Sequence, residues 1–168
     1  MKLKTLLVVT FFIGSWIALA QPSYVINAKS AFTNGEYFEA AEQLTSAYQK
    51  VSPRNARARD LKAELAFKAG YSYEMIFNDA EAENWYQRAI DLRYYNQEPD
   101  VHFRIANVQR RMGNYEKAKE NYQRFLELVP EDPKAERALE AMQKAGFFKD
   151  NRTRYTVRNE RKINTENF

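Results

Sequence analysis

Apolar residues in this chain recur at helical spacing, in blocks separated by short polar or glycine-bearing breaks. The clearest block runs from Pro99 to Asp132. Within it Tyr115, Ala118, Tyr122, Phe125 and Leu126 fall on one stripe of a helix. Just ahead of that stripe, Gly113-Asn114 can adopt the left-handed backbone that stops a preceding helix. Ala106 and Ala118 have no bulk beyond Cβ, so two helix backbones can approach closely where they meet. Pro130 closes the block because proline cannot continue a helix interior. The spacing predicts two antiparallel helices joined by a tight turn, in about 34 residues.

Two upstream segments carry the same offsets. With Gly35-Glu36-Tyr37 set on Gly113-Asn114-Tyr115, Ala28, Ala40, Leu44 and Ala47 fall on Ala106, Ala118, Tyr122 and Phe125. With Ala82 set on Ala118, Gly70, Tyr86 and Ala89 fall on Ala106, Tyr122 and Phe125, while Phe77-Asn78-Asp79 stands where the other copies have Gly-x-Tyr. The copies are separated by 42 residues (Ala40 to Ala82) and 36 residues (Ala82 to Ala118). The additional residues, Arg54 to Asp60 and Tyr94 to Glu98, are expected in inter-repeat loops, which tolerate length. A repeating helical hairpin of this length and pattern is that of the tetratricopeptide (TPR) repeat. One hairpin cannot bury its own apolar face, and three are enough for a stable stack. The expected fold is therefore all-α, a TPR-type α-solenoid with helix–turn–helix repeats over about 21–54, 63–96 and 99–132.

The flanking segments differ in character. Residues 1–20 begin with Lys2 and Lys4, continue as an apolar run from Leu6 to Ile17 and end Ala18-Leu19-Ala20, the pattern of a cleaved secretory signal peptide. The run is short for a membrane span and is broken by Thr10, Gly14 and Ser15. Export with a mature start at Gln21 is expected. After the third repeat, Asp132-Pro133 reads as a helix start, and Ala135, Ala138, Leu139 and Met142 form one apolar stripe. This predicts a capping helix over 133–145, ended by Gly146, and so a TPR domain spanning 21–146. Residues 147–168 read as a basic, extended tail, or the start of a further domain, with Tyr155-Thr156-Val157 strand-like.

Charge and composition narrow the function. The chain has no Cys, which removes disulfides, thiolate catalysis and Cys-based zinc sites. Its net charge of +4 resides in the leader and tail, because residues 21–146 hold 18 basic and 19 acidic side chains. A near-neutral body lacks the cationic face that a nucleic-acid surface needs. His102 is the lone histidine and falls where the repeat places a packing residue. Acidic pairs such as Glu81/Glu83 and Glu116/Glu120 are read as solvated. No phosphate-loop, dinucleotide or zinc-protease motif is present. The sequence points to no catalytic, cofactor or metal site, and so to no enzyme.

The candidate site is instead the inner face of the stack, made by the first helix of each repeat. Helical spacing places Lys29, Phe32, Phe67, Tyr71, Phe103, Asn107 and Arg110 near it. Aromatic side chains mixed with Lys, Asn and Arg suit an interface for protein or extended peptide partners. The other reading is that these rings only pack between neighbouring helices. The Lys and Asn pairs of a carboxylate-clamp TPR are not supplied by both of the first two repeats.

The mature chain as a whole resembles the N-terminal region of OmpA-family envelope proteins of Bacteroidota, of the PorE type associated with type IX secretion and gliding. The resemblance is carried by NGEYFEAAEQL, AENWYQRAIDLRY, GNYEKAKENYQRFLELVPEDPKA and NRTRYTVRNERKINTENF, in that order after the leader. It implies a scaffold at the periplasm or the periplasmic side of the outer membrane, with secretion components as partners. In such proteins a propeller and a peptidoglycan-binding domain follow, so peptidoglycan enters only if a downstream domain exists. The alternative from the sequence is an uncleaved, membrane-tethered assembly factor acting through its leader.

Overall fold

The computed structural model describes residues 21–150, and all of their regular structure is helical. The leader, the sequence-predicted strand at Tyr155-Thr156-Val157 and the rest of the tail lie outside the described residues. Six helices form three successive hairpins: α1 (Ser23–Asn34) with α2 (Tyr37–Lys50), α3 (Ala56–Met75) with α4 (Asp79–Asp91), and α5 (Asp100–Arg111) with α6 (Tyr115–Leu128). A seventh, α7 (Ala135–Asp150), covers α6. Each helix packs on the next in chain order, so the hairpins stack as a helical-repeat solenoid.

The three turns share one geometry. Gly35 and Gly113 sit at φ 79° and 78°, and Phe77 takes the same role at φ 59°. In each turn that residue's N–H donates to the carbonyl three back and the next N–H to the carbonyl five back, as in Gly113 to Arg110 (3.1 Å) and Asn114 to Gln109 (2.8 Å). This left-handed cap satisfies carbonyls that the helix end would leave open. The middle turn thus forms without glycine. Asn78 helps by accepting at 3.3 Å from the N–H of Glu81 at the start of α4.

Small residues set the helix spacing and large rings fill what remains. Ala28, Ala40, Ala66, Ala69, Ala82 and Ala89 are buried alongside Leu44, Leu65, Trp85 and Tyr86 in one cluster spanning the first two hairpins. Helix α5 completes that cluster with Val101, Ile105 and Val108. From its other side Ala106 joins a second cluster with Ala118, Tyr122, Phe125 and Ala138. Helix α5 is therefore a wall shared by two cores.

Gly70 shows how tight the first core is. A Cβ there would lie 2.7 Å from Cδ1 of Tyr86 and 3.0 Å from Cε1 and Cγ. Repeats one and three carry Ala28 and Ala106 at this place. Gly70→Ala nevertheless is expected to destabilise the protein by about 1 kcal/mol. The overpacking cost of about 1–3 kcal/mol outweighs the roughly 1 kcal/mol helix advantage of Ala. Thermal melting checks it, with a fall in Tm of about 2–4 °C expected.

The structure departs from the sequence expectations in four places. Residues 56–60, expected in a loop, form the first turns of α3, because the Asn55 side chain caps the helix by accepting from Ala58 N–H at 2.8 Å. The second extra segment is not a free loop either: Tyr94–Asn96 is a 3-10 turn, entered through Arg93 at φ 61°, and Tyr94 packs on Phe67 of α3. Helix α7 starts at Ala135 rather than 133 and runs through Gly146 to Asp150. A single glycine weakens a helix without ending it unless the backbone turns left-handed there. Leu139 is 50% exposed, while Ala138 of the expected stripe is buried and Met142 half-buried against α6.

Candidate functional site

The face carried by the first helix of each hairpin is a ladder of alternating charges and rings. On α1, Lys29 and Phe32 are one turn apart; on α3, Glu64, Phe67, Lys68, Tyr71 and Glu74 follow at three- and four-residue steps; on α5, Phe103, Arg104, Asn107 and Arg110 do the same. Helical periodicity brings each set to one side. All seven residues singled out from sequence are half-buried.

They do not form one set. Lys29 Nζ meets Glu64 Oε2 at 2.6 Å, and Lys68 reaches the other Glu64 oxygen at 3.6 Å. Lys68 also lies 4.5 Å from the Phe32 ring centre; Phe32 meets Tyr71 edge-on at 5.4 Å; and the Arg104 guanidinium covers Tyr71 at 4.3 Å. Lys29, Phe32 and Tyr71 thus join Glu64, Lys68 and Arg104 in a run that crosses α1, α3 and α5. Phe67 is placed apart, between Tyr94 at 5.3 Å and Tyr86 at 5.8 Å. Phe103 packs on Phe125 and Tyr122 of its own hairpin, and Asn107 accepts a hydrogen bond from the Tyr122 hydroxyl at 2.6 Å. Arg110 also approaches Tyr122.

The ladder continues through Glu74 and Arg104 into an ionic knot that sequence reasoning missed. Glu74, 9% exposed, accepts from the Tyr86 hydroxyl at 2.6 Å and from Arg104 and Arg111 at 3.4 Å each. Arg111 continues to Asp79 at 2.7 Å, tying the second hairpin to the third. Burial, then the neighbouring Glu74 charge, holds the Tyr86 phenol well above its ordinary range. Tyr94 is pushed up to about 12 by burial first, then by Glu64 and Glu98. The hint available in sequence was the spacing of Glu74 four before Asn78 and three after Tyr71, but its partners come from other helices.

The expected packing role of His102 matches its position. It is 7% exposed, its ring lies 5.5 Å from that of Tyr95, and its Nδ1 faces Asn121 Oδ1 at 2.8 Å. Asn121 donates to Gln109, and Gln109 to Glu83. Glu83, expected to be solvated, is thus half-buried against α5. Its partner in the sequence pair, Glu81, is exposed.

Two clefts border these features. One of about 380 Å³ at the N-terminal ends of α1 and α3 is lined by Pro22, Asn55, Ala58, Leu61, Glu64 and Gln97, and shares Glu64 with the ladder. The other, about 400 Å³, lies over Glu83, Gln87, Gln109, Lys117 and Asn121. Among the described residues no group of three or more His, Asp or Glu is placed to hold a metal ion, and no helix is long and apolar enough to cross a membrane.

The hairpin of α5 and α6, with its left-handed Gly113, Ala106 facing Ala118 and Pro130 beyond, decides the family of the repeat. Residues 99–132 match the tetratricopeptide repeat. The first two hairpins repeat its turn and its helix pairing, so the fold is a TPR-type solenoid. No curated protein matches the chain. TPR stacks bind other proteins, and a protein–protein interaction scaffold is the function class this architecture supports.

Proposed function

We propose that the chain is a non-catalytic TPR scaffold of the bacterial cell envelope that holds an extended segment of a partner protein along α1, α3 and α5. The observation that carries this reading is the ladder of Lys29, Phe32, Lys68, Tyr71 and Arg104, half-buried and continuous across three helices. Rings in such a ladder offer apolar contact while the cations offer donors, and Nε of both Arg104 and Arg110 is buried without a protein partner. The resemblance to PorE-type envelope proteins extends the proposal to partners in a type IX secretion or gliding-type assembly. The leader-like residues 1–20 extend it to export, with the mature chain at the periplasm or the periplasmic side of the outer membrane.

Phe67 is a poor probe of this face, since its loss would open the packing of Tyr86 and Tyr94. Lys68→Ala with Arg110→Ala is the better pair, because both are half-buried cations outside the ring stack of Phe67, Tyr86 and Tyr94. The pair is expected to abolish retention of partners from envelope extracts while shifting Tm by no more than about 2 °C. Unchanged retention would place binding elsewhere. N-terminal sequencing of the protein recovered from the envelope separates export from tethering. A start at Gln21 supports the exported scaffold, and a retained leader supports the tethered assembly factor.

A further inference from the structure

The residue at the middle turn is chemically out of place. Gly35, Phe77 and Gly113 occupy equivalent positions, with the same pair of backbone hydrogen bonds and the same left-handed backbone. In that conformation a Cβ crowds the following carbonyl, and a bulky residue there is a genuine outlier. Phe77 gains nothing for the fold in return. Its side chain is 88% exposed and makes no ring contact among the described residues. Strain held by a side chain that does not pack points outward, to something the ring touches.

Phe77 has a companion. Phe38, in the first turn of α2, is 69% exposed and lies at the same edge of the stack, where first and second helices of each hairpin join. Neighbouring hairpins pack near these turns: the Tyr37 ring at the first turn lies 5.8 Å from that of Tyr71 in the C-terminal half of α3, and Arg111 beside the third turn pairs with Asp79 beside the second. Within the first two turns the side-chain charge has one sign. Residues 34–39 and 75–81 contain Glu36, Glu39, Asp79 and Glu81 and no Lys or Arg. Arg111 of the third hairpin reaches this edge and is engaged by Asp79 and Glu74, which leaves Glu36, Glu39 and Glu81 as the carboxylates that face a partner.

We propose that this edge is a second docking surface, distinct from the ladder, that takes a basic segment of a partner protein whose apolar side chains seat against Phe77 and Phe38. The two rings supply the apolar contact and the carboxylates select lysine- or arginine-rich chain over acidic chain. A basic apolar segment is favoured over a lipid surface because an acidic edge is repelled by anionic headgroups.

Phe77→Gly is the decisive variant, since it installs what the other two turns carry. If the ring only supported the fold, its removal would lower Tm. If it serves a partner, Tm should stay level or rise by about 2 °C while binding falls. The probe is a synthetic amphipathic peptide of Lys and Leu, measured by calorimetry against the full chain. The expected result is binding that weakens with salt and drops about tenfold or more in Phe77→Gly and in Phe38→Ser. A Glu/Leu peptide of the same length should not bind. Equal affinity of Phe77→Gly and the parent chain, equal binding of the acidic peptide, or a lower Tm in Phe77→Gly would overturn the proposal. So would Phe77-dependent retention on phosphatidylcholine vesicles or Phe77-dependent dimerisation in sedimentation, which would assign the edge to a membrane or to a second copy.

Discussion

Ala118→Arg should unfold the third hairpin's core, at a cost of about 4 kcal/mol or more. Ala118 is fully buried in one cluster with Ala106, Tyr122, Phe125 and Ala138. An arginine has no path to water from there. The helices must either separate, exposing Tyr122 and Phe125, or enclose an unpaired guanidinium. Circular dichroism melting is the measurement, with a drop in Tm on the order of 10 °C expected. Gln123→Arg, on an exposed position of the same helix, should leave Tm unchanged and so separates burial from charge. An unaltered melt for Ala118→Arg would contradict the pairing of α5 with α6.

The second large effect belongs to Glu74. Glu74→Ala leaves the buried Tyr86 hydroxyl without its partner and removes the charge that Arg104 and Arg111 share. Loss of one member of a buried ionic group commonly costs about 3–5 kcal/mol. Because both arginines reach solvent in part, the lower end, about 3 kcal/mol, is expected here. Tyr86→Phe removes one hydrogen bond and should cost about 1–2 kcal/mol. Urea denaturation of the two single variants and the double variant tests the coupling. The double variant should lose less than the two singles together, since both act on the same contact. Full additivity would show that the knot does not act as a unit.

Much of the fold was legible because the TPR unit is local. Gly113 and Gly35 announce their turns by needing positive φ, and the stripe of Ala118, Tyr122 and Phe125 announces the face that pairs with Ala106. Phe77 was readable only as an exception, since nothing in Phe-Asn-Asp requires a left-handed turn; the neighbouring hairpins impose it. The N-terminal extension of α3 was obscured because Arg57, Arg59 and Asp60 look like loop residues, although Asn55 caps them into helix. At the candidate site the rings and cations were visible, but their grouping was not. Phe67 and Tyr71 are one turn apart, yet Phe67 lies beneath Tyr94 while Tyr71 joins Phe32 and Arg104. That division is made by the segment after α4, whose path no helical periodicity encodes. The grouping around Glu74 was hidden for a different reason: its partners lie on α4 and α5, 12, 30 and 37 residues away.

Sharing α5 between two apolar clusters gives the molecule a seam. The last two helices lean on a small store of contacts of their own, while Val101, Ile105 and Val108 remain bolted to the amino-terminal hairpins. Amide hydrogens in α6 and α7 can therefore exchange through an opening that leaves α1 to α4 closed. A ligand gripping both flanks of α5 would suppress that exchange without adding any bond to α6 or α7 themselves.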